Sequence, residues 1–166
     1  MDLTPKRPSE SATEMVQVVL PNDANPLGFI LGGTVMHLID IAGAIACHRH
    51  TRSLLVTAAV DGLQFLHPIR VGDLIILKSH VTCTFNTSLE VEVEVFSEET
   101  LTGKRRLTSR AFLTFATIDR EGRKVPVPPL LVETDEERRQ CQEAHLRRAE
   151  RLRKRAQVAE NASEVN

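Results

Sequence analysis

The chain has 166 residues, 42% of them hydrophobic, enough for one domain with a substantial core and short for two. A formal net charge of minus one supplies no global field toward nucleic acid or an anionic membrane, so any polyanion site must be local. No apolar run approaches the roughly eighteen residues of a membrane span, and the first fifteen residues lack the apolar centre of a signal peptide, so a soluble, cytoplasmic protein is expected.

In chain order, residues 1–12 hold Pro5, Pro8 and several Ser and Thr without periodicity and are expected to form a flexible tail. The ordered domain is placed at 13–133. Met15 to Leu20 reads as a strand, stopped by the loop Pro21 to Pro26. A long helix follows Gly32-Gly33 and runs from Thr34 to about Arg49, with basic residues at its end as the helix dipole prefers. Leu54–Leu66, Leu74–Phe85, Leu89–Ser97 and Arg106–Ile118 are rich in Val, Leu, Ile, Thr and Phe and read as strands. Leu89-Glu90-Val91-Glu92-Val93-Glu94-Val95 alternates strictly, which predicts one apolar and one wet face. Turn residues at His67-Pro68, Gly72-Asp73, Thr102-Gly103 and Asp119 to Gly122 make a meander of hairpins the simplest topology. Thr134 or Asp135 can cap a charged helix over 134–156, and 157–166 is expected to be a second flexible tail. The fold class is therefore α+β, one long helix on one face of an antiparallel sheet.

Asp40 does not fit its surroundings. Val35, Met36, Leu38, Ile39, Ile41, Ala42, Ala44, Ile45 and Ala46 leave the helix hardly a polar face, so it should be buried all round. A carboxylate there must be hydrogen-bonded, paired, protonated or open to a cavity. It is either a functional group or a structural one that pairs with an arginine or caps a neighbouring element. Gly28, Gly32 and Gly33 precede the helix, where they permit close backbone approach and leave N–H groups suited to a developing oxyanion. Asn25 in the same loop is a candidate to orient water or polarise a carbonyl, or a turn residue before proline.

Phosphate-loop, nucleophile-elbow and zinc-protease motifs are all missing. Cys47, His48 and His50 resemble metal ligands but cluster at a helix end where the dipole also favours histidine, so no metal site is assigned. Cys47, Cys83 and Cys141 are odd in number, scattered and without a CxxC pair. They suggest neither a disulfide framework nor a zinc knuckle, and they point to a reducing compartment.

The stretch Asn22 to Gly33, followed by Met36 and Asp40, resembles the signature of hot-dog acyl-CoA hydrolases, the thioesterase family of that fold. Val56 to Asp61, Phe65, Pro68-Ile69, Val71-Gly72-Asp73, Thr87 to Glu90 and Pro126 to Leu130 match in order, so the resemblance covers residues 15–131. It implies a long helix wrapped by an antiparallel sheet, sheets paired edge to edge in dimers, and a hexamer as a trimer of dimers. It implies a catalytic pair of Asn25 from one subunit and Asp40 from the other, with the thioester carbonyl over the helix N-terminus at Gly33. Asp40 would activate water or attack directly, and the acyl chain would run along the helix. Gly32, Thr87 and Ser88 match positions near substrate or coenzyme A, while Asn86 stands where relatives often have a basic or small polar residue. Acyl-CoA is the expected substrate and no cofactor is expected, coenzyme A being part of substrate and product.

Two other readings compete. Asp23-Ala24-Asn25-Pro26-Leu27 also begins a hydratase motif, but Gly28 replaces the histidine that proton transfer needs. A non-catalytic acyl-CoA sensor is the other, in which a carboxylate beside the thioester has no use. The Arg-rich tail helix is read as a solvated face, with coenzyme A phosphates or a neighbouring subunit as alternative contacts; its lack of aromatic residues argues against a nucleic-acid partner.

Overall fold

The structure, a computed structural model, describes residues 2–163 and divides after Leu131 into two compact units. In the first unit, a helical turn α1 (Pro8–Ser11) leads into β1 (Thr13–Val18), a short 3-10 turn at Pro21–Asp23, the long helix α2 (Gly32–Thr51), and strands β2 (Leu54–Phe65), β3 (Leu74–Thr84), β4 (Ser88–Glu98) and β5 (Arg105–Ile118). The β-rich segments thus lie where the sequence pattern places them. Their order does not follow a simple meander. The strands pair antiparallel as β1-β3-β4-β5-β2, so only β3, β4 and β5 are joined as consecutive hairpins, and β1 and β2 take opposite edges. The reason is the intervening helix, which carries the chain across one sheet face before β2 begins.

The alternation in β4 has a direct structural result: Leu89, Val91, Val93 and Val95 are fully buried. They join Ile75, Leu77 and Val81 of β3 and Leu113 and Phe115 of β5 in one core with Val35, Leu38, Ile39, Ala42 and Ala46 of α2. The helix lies close to the sheet at Gly43, where a Cβ would stand 3.1 Å from Val91 Cγ1 and 3.2 Å from Phe115 Cε2. Beside it, buried Ser79 donates its hydroxyl to the Ala42 carbonyl at 2.8 Å.

The opposite face of β4 is not the wet one its three glutamates predict. Glu90 is 1% and Glu92 6% exposed. Glu90 accepts the Thr82 hydroxyl at 2.8 Å, and Arg110 Nε reaches Glu92 at 3.0 Å while its other arm reaches Glu94. Neighbouring strands supply partners that a single-strand pattern cannot display.

The N-terminal residues are also not a free tail. Lys6 donates its backbone N–H to Pro129 and accepts from Leu131, and its ammonium bonds the His50 carbonyl at 2.7 Å. Ser11 is buried, and its hydroxyl accepts from Val81 N–H. Cys47 is a buried free thiol whose pKa is raised by desolvation, whereas Cys83 on β3 is disulfide-bonded. That corrects the reading of unpaired cysteines and removes the cysteine argument for a reducing compartment, since spacing along the chain does not report which thiols meet.

The second unit holds α3 (Asp135–Ser163), which ends seven residues beyond the expected end at 156; residues 164–166 of the anticipated tail lie outside the described ones. Its start is a capping box: the Thr134 hydroxyl accepts Glu137 N–H at 3.1 Å and the Glu137 carboxylate accepts Thr134 N–H at 3.0 Å.

Two outcomes follow from this packing. Gly43→Ala pushes α2 off the sheet and lowers stability by about 1–3 kcal/mol in chemical denaturation. His50 is fully buried, its Nε2–H donates to the Pro128 carbonyl at 2.8 Å, and its Nδ1 has no partner. Burial lowers its pKa from the usual 6.5. Below that value the unfolded chain binds a proton that the native state refuses, so stability is full above it and falls as the pH drops toward the native pKa. His50→Gln removes that contribution, and urea titrations at pH 7.5 and 5.5 read the difference in slope.

Candidate active site

Helix α2 buries only one side within this chain. Val35, Leu38, Ile39, Ala42, Ala46 and Cys47 point into the core, Gly33, Met36, His37 and His48 are exposed, and Asp40, Ile41, Ala44 and Ile45 are half-buried between them. The expectation of a helix buried all round is corrected: its apolar second side is open. Asp40 lies on that boundary. Its carboxylate accepts the Thr57 hydroxyl of β2 at 2.7 Å, and no basic side chain pairs with it among the described residues. A half-exposed, hydrogen-bonded carboxylate avoids most of the desolvation cost of a buried one and keeps free oxygen lone pairs.

Asn25 is held by its own turn. Its Oδ1 accepts the backbone N–H groups of Leu27 at 3.0 Å and Phe29 at 3.2 Å, and its backbone N–H bonds the Phe29 carbonyl at 2.8 Å. Those two donors fix the amide orientation, leaving the NH2 group as an unspent donor. Gly28 completes the turn at φ +80°, a conformation that glycine adopts without strain. Asn25 is therefore both the turn residue and a directed donor.

The N-terminus of α2 has no side-chain cap. Leu31 is the N-cap, and the first N–H groups, those of Gly32, Gly33 and Thr34, have no intrahelical acceptor. They present partial positive charge at the helix end. Nothing lies within 4 Å of a Cβ built on Gly33, whereas one on Gly32 would touch the Phe65 ring at 3.4 Å.

Asn25 and Gly32 line one apolar cavity of about 330 Å3 with Phe29, Val35, Phe65 and Ile69. Asp40 and Gly33 are not among its lining residues. Asn86 and Thr87 lie elsewhere, in the turn between β3 and β4, and Ser88 opens β4; the Thr87 carbonyl accepts both the N–H and the hydroxyl of Thr117 at 3.1 Å. The residues at the helix end diverge: His48 Nδ1 meets the Ser53 carbonyl, His50 faces Pro128, and Cys47 is in the core. Thr57 is the residue that sequence reasoning missed. A hydroxyl within the otherwise apolar run Leu54 to Val60 was its signal, but only strand placement reveals the contact with Asp40.

The thioesterase superfamily pattern matches residues 27–104. An uncharacterized acyl-CoA thioester hydrolase of Bacillus subtilis is 41% identical over 128 residues, 77% of this chain and 74% of that protein. The human cytosolic acyl coenzyme A thioester hydrolase is 36% identical over 141 residues, 84% of this chain but 37% of the relative, so the chain spans little more than a third of that protein. A hexameric acyl-CoA thioesterase superposes with a TM-score of 0.85 at 40% identity, covering 92% of this chain and 97% of the other. The acyl-CoA hydrolase of Staphylococcus aureus, solved with butyryl coenzyme A, coenzyme A and coenzyme A disulfide, superposes at 0.87 with 30% identity, covering 97% and 99%. That hydrolase has also been solved with one asparagine, one aspartate or one threonine replaced by alanine, at positions with the same mutual spacing as Asn25, Asp40 and Thr57. With this likeness along nearly the whole chain, and with a five-stranded antiparallel sheet packed on one long helix, the chain belongs to the acyl-CoA thioester hydrolases of the hot-dog thioesterase superfamily.

Proposed function

We propose that this chain hydrolyses fatty acyl-CoA to free fatty acid and coenzyme A, with Asp40 as the central catalytic group. The observation that carries the reading is the half-open Asp40 carboxylate, hydrogen-bonded by Thr57 and without a cationic partner among the described residues. Asp40 takes a proton from water as hydroxide adds to the thioester carbon. The C–S bond then breaks and the sulfur leaves as thiolate, which is protonated to the coenzyme A thiol. The uncapped N–H groups at Gly33 and the NH2 of Asn25 supply donors for the carbonyl oxygen as it gains charge. No cofactor enters this sequence; water is the only co-reactant.

The site is composite. Asn25 and Asp40 do not share a cavity within one chain, and the open side of α2 continues into a bare edge strand. There Leu54, Val56, Val60 and Phe65 are each about half exposed. A second copy pairing β2 edge to edge would cover this apolar band and bring its Asn25 to Asp40 of the first. A trimer of such dimers is the proposed assembly, supported by the hexameric relative. Gly32, Asn86, Thr87 and Ser88 are assigned to the substrate and coenzyme A surface. Among the described residues no helix is long and apolar enough to cross a membrane. A cytoplasmic setting is proposed from the cytosolic hydrolases among the relatives.

The test follows release of coenzyme A thiol from acetyl to palmitoyl thioesters. Asp40→Asn should bind acyl-CoA as wild type does and lose turnover by about 10²- to 10⁴-fold, the range for a positioned general base. Binding lost in step with activity would sink the catalytic assignment. Thr57→Val, which removes the donor to Asp40, should lower kcat by about tenfold, and Thr57→Ser should restore it.

A further inference from the structure

An open groove of about 570 Å3 lies at the other end of α2, walled by His48, Arg52, Ser53, Leu54, Ile118 and Arg120. It is basic. The Arg52 and Arg120 side chains make no ion pair among the described residues. The one acid on its wall, Asp119, is already neutralised. Its carboxylate accepts Arg123 Nε at 2.7 Å and the backbone N–H groups of Glu121 and Arg123 at 3.0 and 2.8 Å, which together hold its pKa below the usual carboxylate value. His48 is anchored through Nδ1 to the Ser53 carbonyl at 3.0 Å, leaving Nε2 as its free nitrogen.

The groove stands in a fixed relation to the catalytic carboxylate. Leu54 precedes Thr57 by three residues on β2, about 10 Å along the strand, and His48 follows Asp40 by two helical turns, about 12 Å along the axis. Ile118 on its wall directly follows Thr117, whose N–H and hydroxyl hold the Thr87 carbonyl. The Asn86-Thr87 turn and the groove therefore share one end of the sheet. Asn86 brings no charge to that end, and Arg52 and Arg120 do.

We propose that this groove takes the phosphate groups of the coenzyme A thioester, with Arg52 and Arg120 as the residues that select the nucleotide-bearing substrate over the bare pantetheine thioester. The assignment rests on the thioesterase reading. Guanidinium groups suit it because they present several fixed donors to phosphate oxygens and stay charged at any working pH. The backbone adds a second indication. Arg52 ends α2 in the left-handed region at φ 53°, where glycine is the unstrained choice, so a long basic side chain is held there at a conformational cost.

The experiment compares KM for one acyl group carried on coenzyme A, on dephospho-coenzyme A and on pantetheine. The paired substitution Arg52→Gln with Arg120→Gln should raise KM for acyl-CoA by about tenfold or more, leave kcat in place, and leave KM for the acyl-pantetheine within about twofold. A smaller effect on the dephospho ester would assign the 3′-phosphate to the pair. An equal rise on all three substrates, or no rise on acyl-CoA, overturns the proposal. So does a rise found instead in Arg70→Gln with Lys104→Gln, which alters the other basic basin, at the far end of the sheet. Arg52→Gly serves as the folding control: it should keep or raise Tm while still weakening acyl-CoA binding. Calorimetric binding of free coenzyme A gives a readout independent of turnover. If wild type hydrolyses no thioester, the thioesterase reading fails; equal coenzyme A affinity of wild type and the paired variant overturns the groove whatever the activity.

Discussion

The close approach of α2 to the sheet at Gly43 governs the rest of the molecule. With Val91 and Phe115 packed where a side chain would otherwise be, both the depth and the rotation of the helix are set. Rotation matters because consecutive helical residues are about 100° apart. Turning Ile39, Ala42 and Ala46 inward leaves Gly33, Met36 and His37 outward and stations Asp40 on the boundary. A deeper burial of the carboxylate would require a counter-ion. The boundary position lets one neutral hydroxyl, that of Thr57, hold it.

The polar groups sort into those fully matched within the chain and those left with spare capacity. On the outer side of β4 the carboxylates have partners: Glu90 has Thr82, and Glu92 and Glu94 share Arg110. Such pairs fix strand register and offer nothing to a ligand. Around the helix N-terminus the balance is reversed. Asn25 spends its oxygen on its own turn and keeps its NH2, and the first N–H groups of α2 have no cap. Among the described residues, donors without acceptors on one side and a carboxylate without a cation on the other are the complementary halves that the proposed hydrolysis calls on.

The two halves do not meet within one chain, and the same surface explains why. The apolar side of α2 and the bare edge of β2 form one uncovered band, which a lone monomer would expose to water and to unwanted strand pairing. In the proposed dimer, a second copy closing the band would bury that surface and complete the site in one step. On that proposal assembly and catalysis draw on one surface, and the exposed Phe65 beside Gly32 lines the same cavity as Asn25.

By itself the sequence determined the elements and the chemical types. Period-two alternation and β-branched runs located all five strands to within a few residues, and Gly32-Gly33 with the basic residues after Cys47 bounded the helix. Asp40 and Asn25 were legible as candidates because a carboxylate in an apolar helix and an amide before a glycine-rich helix start are locally anomalous. Tertiary structure decided what depends on residues distant in the chain. The edge placement of β1 and β2, the tie between Lys6 and the segment after Pro128, the burial of Glu90, the bonded state of Cys83 and the contact of Thr57 with Asp40 all join segments whose separation along the chain carries no local signature. Periodicity reports which face a side chain takes on its own element; which neighbour stands opposite that face is fixed only when the elements pack.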